Sequence, residues 1–307
     1  MKNYVIGIDV GGTNIKLGLV NPSGKIISRT NLETKAFIRN KKRLIDALIQ
    51  AVKDLISQNG LKKKDIAGIG IGFPGLVDPV QGNVIFLPNI PGWKNVPFRQ
   101  IFKNRLGIPT FIDNDVKLIT LGEWRYGAGR GVKNLICLTL GTGVGSGLVL
   151  NNQLYRGASY VAGELGHMPL NEKGLSCNCG GYGCLETYIG KNYLYKSAGK
   201  MMNRKGVTTP EMFKLANQGN PKALKFWKEI STHLGNGLVG IVNLLNPELI
   251  IIGGGVSNNY KYIFPTVRGV IQKKAMIAQR SIVRIVRGQL GDDAGIIGAK
   301  ALVSGGF

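Results

Sequence analysis

Three thiols and one imidazole fall close together in the chain: His167, Cys177, Cys179 and Cys184. One His and three Cys make a closed tetrahedral zinc set, and a closed set is structural because no position remains for water. The alternative is a chance cluster of free thiols. The fourth cysteine, Cys137, stands alone in a strand-like run. Three close thiols in a chain so poor in cysteine point to metal before disulfides. Two carboxylates, Glu164 and Glu186, flank the cluster.

A second constellation is Asp113-Asn114-Asp115, which follows the apolar run Thr110–Ile112. Carboxylates at the C-terminal end of a strand lie where open α/β sheets hold ligands. One of them can take a proton from a hydroxyl. A helix N-cap is the competing reading, and it explains one of the three residues.

Two Gly/Thr turns could hold phosphate. In Asp9-Val10-Gly11-Gly12-Thr13 and in Gly141-Thr142-Gly143, an apolar run precedes the turn and another follows it. Glycines there let backbone N–H groups approach a phosphate that a Cβ would keep away. Asp9, at a strand end, can hold Mg²⁺ through water. An ordinary Gly hairpin is the plain reading of either turn alone. Gly253-Gly254-Gly255 follows the apolar run Leu249–Ile252. It reads as a tight βα connection, or as close backbone approach to an adenosine. Trp93, in Asn89-Ile90-Pro91-Gly92-Trp93, reads either as a lid over a ring or as a loop aromatic packed on its own lobe. His233, the other histidine, lies in a helical stretch and reads as a core or surface residue.

The elements that would carry these residues follow from periodicity. Strands are predicted over 4–10, 15–20, 25–31, 66–73, 110–112, 134–140, 146–150, 249–252 and 282–286. Helices are predicted over 41–58, 98–106, 116–127, 187–203, 221–245, 260–277 and 293–304, with a Pro/Gly-rich loop from Asp78 to Pro97. Strand, Gly/Thr turn and strand occur twice, at 4–20 and at 134–150, so two related lobes are expected.

The 307 residues fit two packed domains, and 44% hydrophobic content excludes a disordered chain. No apolar run reaches membrane length, and the N-terminus leads straight into a strand, so a cytoplasmic protein without membrane partners is expected. Forty Lys and Arg against 17 Asp and Glu give a formal charge of +23. The basic residues are scattered in Arg39-Asn40-Lys41-Lys42-Arg43, Lys62-Lys63-Lys64 and Gln272-Lys273-Lys274, without the interleaved aromatics of nucleic-acid binding. A general lysine bias accounts for this charge, and an anionic partner is the sharper reading.

Together these motifs resemble the ROK family (repressors, open reading frames, kinases) of the actin-like ATPase superfamily. The likeness runs from Asp9-Val10-Gly11-Gly12-Thr13 to Asp293-Ala294-Gly295-Ile296-Ile297-Gly298-Ala299. Its most specific part is Glu164-Leu165-Gly166-His167 with Cys177-x-Cys179-Gly180-x-x-Gly183-Cys184-x-Glu186.

The resemblance implies an α/β fold of the two-lobed actin-like (ribonuclease H-like) type, with a central cleft and a small zinc-binding loop. Residues 1–115 would form the N-terminal lobe and 116–288 the C-terminal lobe, with helix 289–307 packing back on the first. The implied activity is ATP-dependent phosphorylation of glucose to glucose 6-phosphate, with Asp115 as general base. Gly75, Asn114, Glu164, His167 and Glu186 would join Asp115 in holding the sugar. Asp9, Gly11, Gly12, Thr13, Thr142 and Gly143 would serve the phosphates and Mg²⁺, and Gly254 and Gly255 the adenosine. His167, Cys177, Cys179 and Cys184 would bind structural zinc. A homodimer or homotetramer is expected.

The stretch 89–93 resembles glucose kinases more than amino-sugar kinases. Mannose, fructose, N-acetylglucosamine and N-acetylmannosamine are alternative substrates, and polyphosphate is an alternative donor. A transcriptional regulator is the rival class, but only a few residues precede Asp9, where family repressors carry a helix-turn-helix domain. The chain departs from the family pattern after Asp115, where Val116-Lys117-Leu118-Ile119 replaces a run of small residues and Lys117 stands for a common Asn.

Overall fold

A computed structural model of the chain describes residues 3–37, 40–88, 90 and 92–305. Asn89 and Pro91 of the tryptophan loop, Arg39 of the first basic run and residues 306–307 of the last helical segment lie outside them, as do Met1 and Lys2.

The elements are β1 (Tyr4–Val10), β2 (Asn14–Val20), β3 (Ile26–Glu33), α1 (Lys41–Gln58), β4 (Ile66–Phe73), β5 (Leu76–Asp78), β6 (Asn83–Phe86), β7 (Lys94–Val96), α2 (Phe98–Leu106), β8 (Thr110–Asn114) and α3 (Asp115–Tyr126). There follow β9 (Leu135–Leu140), β10 (Val144–Leu150), β11 (Gln153–Tyr155), α4 (Glu186–Ile189), α5 (Lys191–Met202), α6 (Thr209–Asn217), α7 (Pro221–Leu245), β12 (Leu249–Gly253), α8 (Tyr260–Lys274), α9 (Ile277–Ile282), β13 (Arg284–Arg287) and α10 (Ala294–Val303).

Two mixed sheets repeat one topology. The first has the order β3-β2-β1-β4-β8 and the second β11-β10-β9-β12-β13. In the first, β2 pairs with β1 and β3 antiparallel, and β4 and β8 add in parallel. In the second, β9, β12 and β13 are parallel and β10 pairs antiparallel with β11. The internal repeat seen in the strand-turn-strand pattern is therefore a repeat of whole sheets.

The chain divides into two compact units. The first holds the described residues up to Gly131, Gly147–Ala162 and those from Gln289 on; the second holds Val132–Ser146 and Gly163–Gly288. The first boundary falls after Gly131 and not at residue 115, because α3 packs against α10 and β4 within the first unit. Residues 147–162 likewise belong to the first unit.

In the first unit, successive strand residues face opposite sides. Ile6 and Ile8 of β1 and Ile69 and Ile71 of β4 join a core with Leu44, Leu48 and Val52 of α1. Gly7 and Gly70, on the alternate positions, receive α10. A Cβ at Gly7 would lie 2.5 Å from the Ile296 carbonyl oxygen, and one at Gly70 would lie 2.5 Å from that of Ala299. The missing side chains let the helix sit directly on the sheet.

Three local expectations need correction. The stretch from Asp78 to Pro97 is not all loop, since β5, β6 and β7 form a small antiparallel sheet. These strands are only three or four residues long, too short for an alternating pattern to register. The helix expected over 187–203 breaks at Gly190, whose extended backbone (ψ 144°) separates α4 from α5. Finally, α6 lies in a segment left unassigned by periodicity, although Thr208 caps it and Pro210 sits in its first turn.

Candidate functional site

The first unit gathers its candidate residues at the C-terminal edge of its parallel strands. Asp9 of β1 pairs with Gly72 of β4, and Gly72 pairs with Asp113 of β8, so the three form one row across the sheet. The first Gly/Thr turn rises from this row. Gly11 N–H donates to the Asn14 carbonyl, while Thr34 donates its hydroxyl to the Gly11 carbonyl at 2.8 Å and its N–H to that of Thr13 at 3.0 Å. Gly12 and Thr13 are exposed. Thr34, buried behind them, is a supporting residue that no motif announced.

Burial raises the Asp9 pKa above the usual carboxylate value; the Lys16 ammonium opposes this and Asp292 adds to it. A carboxylate so short of compensating charge is suited to a cation, so Asp9 fits a role toward Mg²⁺.

Next along the row, the Asp113-Asn114-Asp115 residues divide their work. Asn114, not Asp113, caps α3: its Oδ1 accepts from Val116 N–H at 3.0 Å and Lys117 N–H at 3.3 Å. Its Nδ2 donates to the Gly75 carbonyl at 3.2 Å, tying the β4–β5 turn to the helix start. Asp115 is the first residue of α3, and its Oδ1 accepts from Val116 N–H at 2.9 Å. A helix N-terminus favours the anionic form of a carboxylate.

Asp113 is only 1% exposed and is paired with Arg156, whose Nε and Nη2 each lie 2.8 Å from Asp113 Oδ2. Of the three residues, Asp113 is thus neither cap nor base but a buried ion-pair partner. Sequence reasoning passed over Arg156, because its partner lies 43 positions away.

The second unit holds the remaining candidates. Its Gly/Thr turn joins β9 to β10, with Gly141 N–H donating to the Gly143 carbonyl at 3.0 Å and Lys191 N–H to that of Gly141 at 3.0 Å. The strand expected from residue 146 starts earlier, with Val144 and Gly145 already in β10. Glu186 reaches this turn: its Oε2 accepts from Val144 N–H at 2.9 Å, and a Cβ on Gly143 would lie 2.4 Å from that oxygen. Gly143 thus makes room for a carboxylate as well as leaving Thr142 exposed. Gly253 of β12 pairs with Thr139 of β9, which sets Gly254 beside the end of β9. Gly254 has φ +84°, and a Cβ there would lie 2.4 Å from the Leu140 carbonyl oxygen, so glycine is required on both counts. A Cβ on Gly255 would meet nothing nearby.

The donor atoms of His167, Cys177, Cys179 and Cys184 all lie within 4.8 Å of one another. The Cys179 and Cys184 sulfurs are 3.7 Å apart, and Cys177 Sγ is 3.6 Å from His167 Nδ1. A zinc tetrahedron with bonds of about 2.3 Å to sulfur separates two sulfurs by about 3.8 Å, so the spacing fits. The electrostatics fit as well: burial and the adjoining thiols push the Cys184 thiol up to about 12. A central cation removes that cost, because coordinated thiols are deprotonated. With Nδ1 toward the sulfurs, His167 Nε2 lies 4.0 Å from Glu164 Oε2.

Trp93 is no lid. It is 1% exposed and packs among Phe73 and Phe98, with centroids 5.7 and 5.8 Å away. His233 stacks on Tyr188 at 4.4 Å.

Two mixed five-stranded sheets of one repeated topology, each with a Gly/Thr turn between its first two strands, define an α/β protein of the actin-like class. The ROK family profile matches residues 5–305, and the chain belongs to the ROK family. It is 33% identical to a glucokinase of Thermotoga maritima, over 98% of both chains. It is 32% identical to a xylose repressor of Caldicellulosiruptor bescii, over 97% of this chain and 77% of that one. Among solved structures, a Streptomyces griseus ROK glucokinase in complex with glucose and AMPPNP superposes with a TM-score of 0.81 at 32% identity, covering 97% of this chain and 98% of that one. ROK sugar kinases are thus among its relatives in both sequence and structure. No helix among the described residues is long and apolar enough to cross a membrane.

Proposed function

We propose that the protein transfers the γ-phosphoryl group of ATP to the 6-hydroxyl of glucose. The observation that carries this reading is the Asp115 carboxylate at the start of α3, next to an Asn114 tied to Gly75, in a chain 33% identical to a glucokinase over nearly its full length. Asp115 accepts the hydroxyl proton as that oxygen attacks phosphorus. Asn114, Gly75, Glu164, His167 and Glu186 hold the ring.

The turn that Gly11 opens offers the N–H groups of Gly12 and Thr13 to the phosphates, the turn at Thr142–Gly143 offers its own, and Gly254 and Gly255 border the adenosine. Asp9 would hold Mg²⁺, which would supply positive charge for the phosphoryl oxygens. His167, Cys177, Cys179 and Cys184 would hold zinc, which would tie together the segment from Glu164 to Glu186, where three sugar-holding side chains lie. The protein acts in the cytoplasm as a homodimer or homotetramer.

A coupled assay over glucose, mannose, fructose and the N-acetylhexosamines, each with ATP or polyphosphate, tests the reading. Glucose with ATP should give the highest kcat/KM. Preference for an amino sugar or for polyphosphate would replace the substrate or donor named here, and no sugar phosphate from any pair would overturn the reading.

A further inference from the structure

Lys117 is the residue at which this chain leaves the family pattern beside its proposed base, and it is only 4% exposed. A lysine is rarely buried unless its ammonium has partners. Its Nζ donates to the Tyr160 carbonyl at 2.6 Å, across 43 positions of sequence. Tyr160 has φ +62°, a left-handed conformation that a bulky residue adopts at a cost and keeps only where its surroundings hold it.

Four residues earlier in the same segment, Arg156 grips Asp113 through two 2.8 Å contacts. The segment Arg156–Ala162 is therefore fastened at two points to the corner where β8 becomes α3. One fastening is the residue two before Asp115 and the other the residue two after it. All of these groups lie in the first unit. A lysine side chain spans about 6 Å and the bond adds 2.6 Å, so the Tyr160 carbonyl is held within about 9 Å of the Lys117 backbone in the first turn of α3.

We propose that Lys117 is a positioning residue for sugar selectivity. Its ammonium fixes the Arg156–Ala162 segment as a rigid wall beside Asn114 and Asp115, and this wall excludes hexoses with bulky substituents. The inference rests on the reading of Asp115 as the base of a sugar kinase. A fixed wall discriminates by steric exclusion; a wall free to move admits the larger ring.

The test compares wild type, Lys117→Met and Lys117→Arg with glucose and N-acetylglucosamine as acceptors. Met keeps the length of the side chain and removes the donor; Arg keeps a cationic donor. In Lys117→Met the ratio of kcat/KM for glucose over N-acetylglucosamine should fall about 2- to 10-fold, the effect of losing one hydrogen-bonded restraint. KM for ATP should stay within about twofold, and Lys117→Arg should restore most of the ratio.

Tyr160→Gly removes a side chain from the segment and frees its left-handed backbone, while the carbonyl that accepts from Lys117 is kept. It should lower the same ratio, and it serves if Lys117→Met does not fold. An unchanged ratio in both Lys117→Met and Tyr160→Gly, or equal losses for both sugars, overturns the proposal while the kinase reading stands. A wild-type protein that phosphorylates neither sugar overturns both.

Discussion

Arg156→Met should destabilise the first unit more than most single substitutions. The change leaves the Asp113 carboxylate, 1% exposed, with the Asn114 N–H at 2.8 Å but without the guanidinium. Removing one partner of a buried ion pair costs about 3–5 kcal/mol. Arg156 is 11% exposed on its side chain and the Asn114 bond survives, so the low end applies, about 3 kcal/mol. For a unit of this size each kcal/mol lowers Tm by about 2–4 °C, giving a fall of about 6–12 °C. Calorimetry reads it directly. The double variant Asp113→Leu/Arg156→Met removes both charges, so it should recover most of the loss. A fall under about 2 °C for Arg156→Met, or a double variant as unstable as the two singles added together, would refute the reasoning.

Three further outcomes follow from the same geometry. Cys179→Ser should purify without stoichiometric zinc and with weakened glucose affinity, read by metal analysis and by KM; a variant that keeps full zinc would remove Cys179 from the donor set. Gly143→Ala should push the Glu186 carboxylate off the Val144 N–H and lower kcat/KM by about tenfold, the scale of one hydrogen bond to a charged group, with the KM values of sugar and ATP both raised. Burial lowers the His233 pKa below 6.5, with Glu229 opposing, so its neutral form is favoured in the fold. Stability from this group is present above pH 6.5 and is lost as pH falls through the folded value; an NMR titration of His233 midway at or above 6.5 would contradict this.

Where the sequence was legible, the signal was local. The helix over 41–58 shows its period in Leu44, Leu48, Val52 and Leu55. Each Gly/Thr turn shows itself by its own glycines and closes on a local bond, Gly11 N–H to the Asn14 carbonyl and Gly141 N–H to that of Gly143. The donor set of His167 and the three cysteines is compressed into one segment, so its spacing alone brought it to notice. What escaped was carried by distant partners. Thr34 supports the first turn from 23 positions away, and Arg156 meets Asp113 across 43. Glu186 reaches Val144 across 42. The division of labour among Asp113, Asn114 and Asp115 was hidden for the same reason: any of the three could cap a helix, and only Arg156 withdraws Asp113 from that role. Trp93 was open to two readings because burial depends on Phe73 and Phe98, not on its own loop.

Asp115→Asn tests the central claim most directly, because it keeps the shape of the side chain and removes the proton acceptor. With glucose and ATP at saturation, kcat should fall by about 10²–10⁴-fold, the usual contribution of a positioned general base. KM for ATP should stay within severalfold, since the phosphate turns are untouched, and KM for glucose should rise only modestly. An Asp115→Asn enzyme that turns over glucose at a near-normal rate, with Asp113→Asn inactive but folded, would contradict the account.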